Sequence, residues 1–504
     1  MKRLLFALLA GGLALQAWPA RADDPSADFA VNLGKLDAAR NSGDCNAVLP
    51  VARQVIASPA FADAGPDLRG VVLVLAAGCA GQERLLREAL DDARLATAIP
   101  GASAEAWRIR LTAAMASNAP DEFVDALEQA AVAAPEALTA PPLLAYRQLD
   151  RTERIKDRQL EQRMLAALDK GGYRPDLVGE SADDLWLRFA QLLVDAGDNE
   201  RAGAVLAKVS DIRMLMQVKL DARFATAVAA HPDHFDLKAA AERKLAEDQA
   251  TMAAHPELLG EVEATLGDFD ALNRYDEAVA TADAALDRVA KQTDKPAFID
   301  EPEKLSWIYG DKAVVLLEMG RVDDAIATER TAVRPNNSVP PDVSHVINLA
   351  LFLNLAGRSD EALKALDASL DNKLSPYGLG WLHTERACAD QQLGRTAAVA
   401  SELAYLSAHA ADNPGARIKA LLCVNDLDAA AAAMIVGLRN PDRRGQTLIN
   451  LSTFARVAQR TPISAALHER LVALQARPDV RAAVAAAGHT EAVPLNSGRL
   501  IDVF

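Results

Sequence analysis

Three stretches decide the fold: AVVLLEMGR at 313–321, ALFLNLAGR at 350–358 and ACADQQLGR at 387–395. Each opens on alanine, reaches glycine seven positions later and closes on arginine, and the glycines Gly320, Gly357 and Gly394 stand 37 residues apart. A fixed period of this size means that one supersecondary unit is stacked several times, each copy burying the face its neighbour leaves open. The apolar spacing within each copy is helical. The glycine ends one helix, because it enters the left-handed region without a Cβ penalty. An acidic turn, Asp323-Asp324-Ala325 or Asp360-Glu361-Ala362, then starts a second helix.

Composition points the same way. At 504 residues the chain is too long for one ordinary core. Only 5% of its residues are aromatic and alanine is abundant, which favours close helix packing over a β-rich interior. The expected class is therefore all-α, an α-helical solenoid of antiparallel helix pairs with a divergent helical amino-terminal region.

Written against one another, the copies share more than the glycine. Leu305, Trp307, Ala313, Leu317, Gly320, Ala325 and Ala332 recur as Leu379, Trp381, Ala387, Gly394 and Leu406, and the middle copy supplies Ala350, Gly357, Ala362 and Ser369. This pattern resembles the tetratricopeptide repeat family. With Gly320 at the fifteenth position of that unit, Ala313, Ala325 and Ala332 fall on the eighth, twentieth and twenty-seventh, where the family places small residues. The copies are longer than the family average, and the final proline is displaced, at Pro335 and Pro376. Weaker copies carry Trp186, Ala190, Gly197 and Ala202; Asn273, Ala278 and Ala285; Trp107, Asn118 and Ala130; and Asn425 with Ala430, closing at Pro441. Asparagine is the next-best residue for the left-handed position.

The amino terminus reads as a secretory signal: Lys2 and Arg3, an apolar run from Leu4 to Leu15, and Ala20-Arg21-Ala22 as the cleavage site, with a mature chain from near Asp23. Export to a bacterial periplasm is the expectation, and no later stretch reaches the ~18 apolar residues needed to span a bilayer. Losing Lys2, Arg3 and Arg21 takes the formal charge from −16 to −19. Nucleic-acid binding needs clustered basic residues. The densest cluster, Arg151 to Arg163, is interleaved with Asp150, Glu153, Asp157 and Glu161 and reads as a solvated helix face. Four cysteines allow three pairings. Their spacings of 34 and 35 residues match one repeat, which favours Cys45 with Cys79 and Cys388 with Cys423 in an oxidising compartment.

Five segments follow from the prolines and the register. They are a signal peptide (1–22), an Ala-rich helical region with weak repeats (23–140), a charged helix with degenerate repeats (141–265), the repeat array (266–441), and carboxy-terminal capping helices with an irregular tail from Gly488 (442–504).

Few residues suggest chemistry. His231 and His234, with Asp236, are spaced to share a metal, but Ala-Ala-His-Pro-Asp at 229–233 recurs as Ala-Ala-His-Pro-Glu at 253–257, so a repeated helix junction accounts for them. Asp300, Glu301 and Glu303 could serve as paired acids, yet acids that precede a helix also stabilise its positive end. The motifs of hydrolases, metalloproteases and nucleotide-binding enzymes are absent. The reading is of a non-catalytic protein that needs no cofactor or metal.

The family resemblance implies that the second, fifth, ninth, twelfth and thirteenth positions of each first helix line a concave groove. Trp307 and Trp381 fall at the second, and Ile347, Leu351, Asn354 and Gln391 complete a groove fit for an extended peptide. Each tryptophan has an alternative reading as packing between neighbouring repeats. The Lys and Asn set with which some family members clamp a peptide carboxylate is not present. The expected function is a periplasmic scaffold that binds a protein or peptide of the cell envelope. The alternative is a helical-repeat enzyme acting on envelope carbohydrate or peptidoglycan. A second copy of the chain is another possible occupant of the groove.

Overall fold

The computed structural model describes residues 25–151, 157–292, 295–334, 342–366, 374–456 and 461–497. The segment expected to be a signal peptide, Ser369, the stretch 335–341 and part of the charged run 150–163 lie outside the described residues. The chain forms two compact units that divide between Leu192 and Leu193. Both are built of helix pairs.

The first unit holds α1 (Pro25–Ser42), α2 (Cys45–Ile56), α3 (Pro59–Ala62), α4 (Pro66–Gln82), α5 (Leu86–Thr97), α6 (Ala104–Ala116), α7 (Pro120–Ala133), α8 (Leu143–Arg151) and α9 (Arg158–Lys170), and α10 (Asp183–Asp195) runs through the division. Cys45 and Cys79 form a disulfide between α2 and α4. Arg163 bonds both Asp125 and Glu128, and Glu161 pairs with Arg188, so these charges belong to helix-to-helix links.

The second unit continues with α11 (Asn199–Leu206), α12 (Ile212–Leu220), α13 (Ala225–Ala230), α14 (Leu237–Ala254), α15 (Leu259–Ala271), α16 (Tyr275–Ala290), α17 (Glu301–Glu318), α18 (Val322–Val333), α19 (Val343–Leu355) and α20 (Ser359–Ala365). Then come α21 (Pro376–Gln392), α22 (Thr396–Ala408), α23 (Pro414–Cys423), α24 (Leu427–Arg439) and α25 (Arg444–Asn450). The chain finishes with strand β1 (Thr453–Arg456), α26 (Pro462–Ala476), α27 (Pro478–Ala487) and strand β2 (Ala492–Asn496).

The repeat register is a backbone device. Besides Gly43, nine described residues just past a helix end have φ between 54° and 83°: Arg84, Asn118, Gly172, Gly197, Asn273, Gly320, Gly357, Gly394 and Asn425. After each, the next N–H donates to the carbonyl five residues back, as Arg321 to Leu316, Arg358 to Leu353 and Arg395 to Asp390, at 2.8–3.1 Å across the set. That bond satisfies a carbonyl the helix end would leave orphaned and turns the chain back on itself. Ala313, Ala350, Ala387, Ala325, Ala362 and Ala332 are all fully buried, so the helices of each pair pack with little side chain between them. The arginine that follows each glycine pairs with an acid of the second helix, Arg321 with Asp324 and Arg358 with Glu361, while Arg395 reaches Asp360 of the preceding repeat.

The terminal segment differs from the irregular tail expected. After α26 and α27 the chain forms β2, which runs parallel to β1 with Thr453 opposite Ala492 and Phe454 opposite Val493. It then packs on α14 and α15, at the start of the same unit. Gly488 bridges to Asp221, His489 N donates to Leu220 O at 3.0 Å, and Asn496 Nδ2 donates to buried Asp270 at 3.1 Å. α25 packs against α12, and Arg444 reaches Asp221 at 3.6 Å. The end of the second unit thus closes on its beginning. These contacts join residues more than 200 positions apart, which local periodicity does not report.

Candidate binding cavities of the second unit

Buried polar links run from α18 to α19, from α19 to α21 and from α21 to α23. Glu329 on α18 accepts from His345 Nδ1 at 2.8 Å, with both side chains essentially inaccessible. Lys419 on α23 donates to Glu385 on α21 at 2.7 Å, also buried. Asn354 Nδ2 donates to the Glu385 carbonyl and carboxylate, both at 2.9 Å. Gln392 Nε2 donates to Asn354 O at 3.2 Å while its own carbonyl accepts from Ser359. Buried charges are tolerated only when paired in this way, and removing one partner of such a pair is more costly than never having built it. The disulfide between Cys388 and Cys423 ties α21 to α23 beside the Lys419 link.

α26 lies against α19, α23 and α24. Arg470 Nη1 donates to Leu422 O at 2.6 Å and Cys423 O at 2.8 Å, capping the last carbonyls of α23. Between α26 and the first helices a cavity of about 520 Å³ remains. Val314, Leu317, Leu351, Phe352, Leu355 and Leu467 form its apolar wall. Polar groups enter from several elements: Arg213, Glu263, Asp311, Glu318, His345, Asn348, Lys419, Ser464, His468 and Ser497. Trp307 borders it with 36% of its surface exposed, its ring centroid 4.8 Å from that of His345. Gly310 permits this packing, since a Cβ there would stand 2.4 Å from His345 Cε1.

Two imidazole nitrogens in this cavity's lining residues are buried without a hydrogen-bond partner, His345 Nε2 and His468 Nδ1. Burial pushes the His468 ring toward its neutral form, with the nearby Glu469 charge acting against it.

A second cavity, of about 590 Å³, shares Tyr377 with the first. Ala410, Ala411, Ala432 and Ala433 line it together with Asn413, Arg417, Val436, Asp442, Arg443, Gln446 and Asn450. Val436 and Tyr377 are 63% and 59% exposed. Arg443 donates to Ala411 O at 2.9 Å, and the half-buried Arg417 guanidinium meets no carboxylate among the described residues.

The groove residues named from sequence separate. Trp307 and Leu351 come together at the first cavity. Ile347 is buried in the core between α17, α19 and α21. Asn354 is buried in the Glu385 network. Trp381 is half-buried against the same core, with Lys419 Nζ 5.7 Å from its ring, so equal register gives the two tryptophans unequal surroundings. Gln391 is exposed and lines neither cavity. Sequence reasoning missed His345, Tyr377, Arg417 and His468. None carries a motif, and His468 arrives from the terminal helix.

The other sequence candidates have structural partners. Asp300 accepts from the N–H groups of Leu259 and Gly260, capping α15, and Glu301 accepts from Ala297 N and Gln292. His234 Nε2 lies 3.0 Å from Leu206 O, and His231 packs near Gly203. Among the described residues no group of three or more His, Cys, Asp or Glu side chains is arranged to hold a metal ion. No described helix is long and apolar enough to cross a membrane.

No protein-family model matches the chain, and no curated protein matches it. Among solved structures it is similar to the APC/C hetero-tetramer Cut9–Hcn1, at 14% identity over 92% of this chain and 93% of that one, with a TM-score of 0.30. It is also similar to Naa15/Naa10 bound to HypK, at 14% identity over 84% of this chain and 71% of that one, with a TM-score of 0.20. The chain itself is an all-α protein of repeated helix pairs.

Proposed function

We propose that the protein is an exported, non-catalytic helical-repeat scaffold that binds a protein or peptide partner of the bacterial cell envelope through its second unit. The observation that carries this reading is the groove at Tyr377, Val436 and Arg417. An exposed aromatic ring, an exposed aliphatic side chain and a guanidinium that meets no carboxylate among the described residues stand there beside four alanines. Tyrosine and arginine are the residue types that protein interfaces concentrate, and a half-buried cation without a carboxylate partner gains from one supplied by a ligand. Two disulfides and the amino-terminal sequence support export to the periplasm.

A photoreactive amino acid placed at Val436 in the full chain, expressed in cells, tests the assignment. The expected result is a discrete crosslinked protein that is lost with Arg417→Glu and absent when the photoreactive group sits at exposed Val31 of the first unit. Equal capture from both positions, or capture indifferent to Arg417→Glu, would remove the groove from the interface.

A further inference from the structure

We propose that the cavity beside Trp307 is a separate site for a small, uncharged, hydroxyl-rich molecule of the chemical class of sugars. This goes beyond the partner groove and does not depend on it.

Size is the first argument. A cavity of about 520 Å³ lies inside the ~300–1,000 Å³ range of small-molecule sites, and α26 occupies much of the face that a longer segment would need. The two orphan nitrogens are the second. A buried polar atom without a partner is costly, so His345 Nε2 and His468 Nδ1 favour a ligand group able to bond them. The 2.8 Å contact between His345 Nδ1 and the Glu329 carboxylate is satisfied by a proton on Nδ1. His345 Nε2 then accepts if the ring is neutral and donates if the ring is charged. A hydroxyl satisfies either state, because it both donates and accepts; a carboxylate satisfies only the charged ring and an ammonium only the neutral one. His468 Nδ1 donates in one neutral tautomer and accepts in the other, and a hydroxyl satisfies both.

The remaining lining fits the same class. Trp307 offers a partly exposed indole at the cavity wall, and the negative face of an aromatic ring attracts the slightly positive C–H bonds of a sugar ring. Around it stand acceptors on Glu263, Asp311 and Glu318 and donors on Arg213 and Lys419, with Asn348, Ser464 and Ser497 able to do both. Both signs of charge line the cavity, and Glu263 and Lys419 are already paired with Lys304 and Glu385. Arg213, Asp311 and Glu318 keep both signs of charge in the rest of the lining.

The test is calorimetric titration of the purified full chain with glucose, N-acetylglucosamine, cellobiose and N,N′-diacetylchitobiose, with propionate and propylamine as charged controls. The expected result is saturable binding of at least one sugar, weakened about tenfold or more by Trp307→Ala and by His468→Leu. His468 is only half-buried, so His468→Leu keeps the test decisive if Trp307→Ala lowers stability. No response to any of the four sugars, a sugar response equal in both variants, or stronger binding of either charged control overturns the proposal. Arg417→Glu is expected to leave sugar binding unchanged, which separates this site from the partner groove.

Discussion

Asp268 shows how a single buried side chain sets the response of this protein to pH. It lies on α15 beside Asp248, which is bonded by Lys244, and its own Oδ2 has no hydrogen-bond partner. Burial above all, and then the Asp248 charge, raise its pKa from 3.8 to about 8. A carboxyl whose folded pKa is raised is held protonated by the fold, so the folded state binds a proton that the unfolded chain has lost. Its stability is therefore greatest below pH ~4, declines as pH rises, and reaches its full deficit above pH ~8. Asp268→Asn, which keeps the shape without the charge, is expected to raise the melting temperature at pH 9 and to flatten its fall between pH 6 and 9. A parallel fall in both proteins would show that Asp268 does not govern it. Residues of this kind were invisible in the sequence, since nothing in the string says which aspartate is buried beside another. The left-handed turn residues were legible wherever they were Gly or Asn within the register, as at Gly320, Asn273 and Asn425. Arg84 was not, although its φ of 61° does the same work, because arginine carries no preference for that region.

At the scale of the helix, neighbouring repeats are tied by buried polar links as well as by apolar packing. Cys388–Cys423, Lys419–Glu385 and the Arg470 cap all converge on α23. The chain-entropy model gives a loop of this length ~3–4 kcal/mol. Replacing both cysteines by serine is thus expected to cost about that much in denaturant unfolding. The loss is expected to be concentrated in α21, α23 and α26, where amide exchange quickens while the α14–α16 core stays protected. Uniform loss of protection across the second unit would instead mean that it unfolds as one cooperative block. Helix pairs, their turns and the alanine contacts were readable because each is fixed by spacing within about 40 residues. The unequal fates of Trp307 and Trp381 were not readable, since they depend on what the neighbouring helix supplies: His345 at one, Lys419 at the other.

The second unit as a whole is distinguished by its closure. An open stack of repeats is stabilised by nearest-neighbour interfaces, so an end frays without disturbing the middle. Here β2 returns to α14 and α15, Asn496 bonds Asp270, Lys219 pairs with Glu491 at 3.0 Å, and Arg223 Nη2 donates to Pro441 O at 2.7 Å. The end that would fray is tied to the beginning. Contacts of such sequence separation carry a loop-closure cost that grows only slowly with length, so a few buried bonds suffice to hold them. The closure also bounds the cavity beside Trp307, to which Arg213 of α12 and Ser497 after β2 both contribute. Ending the chain after Ala487 removes β2 with Asn496 and Ser497 while leaving every repeat pair intact. The expected outcome is faster amide exchange in α12, α14 and α15, with α17–α19 little changed, and weaker binding of any sugar the intact protein takes. If α12 and α15 keep their protection in the shortened chain, the returning strand is a passenger and the array stands as an open stack.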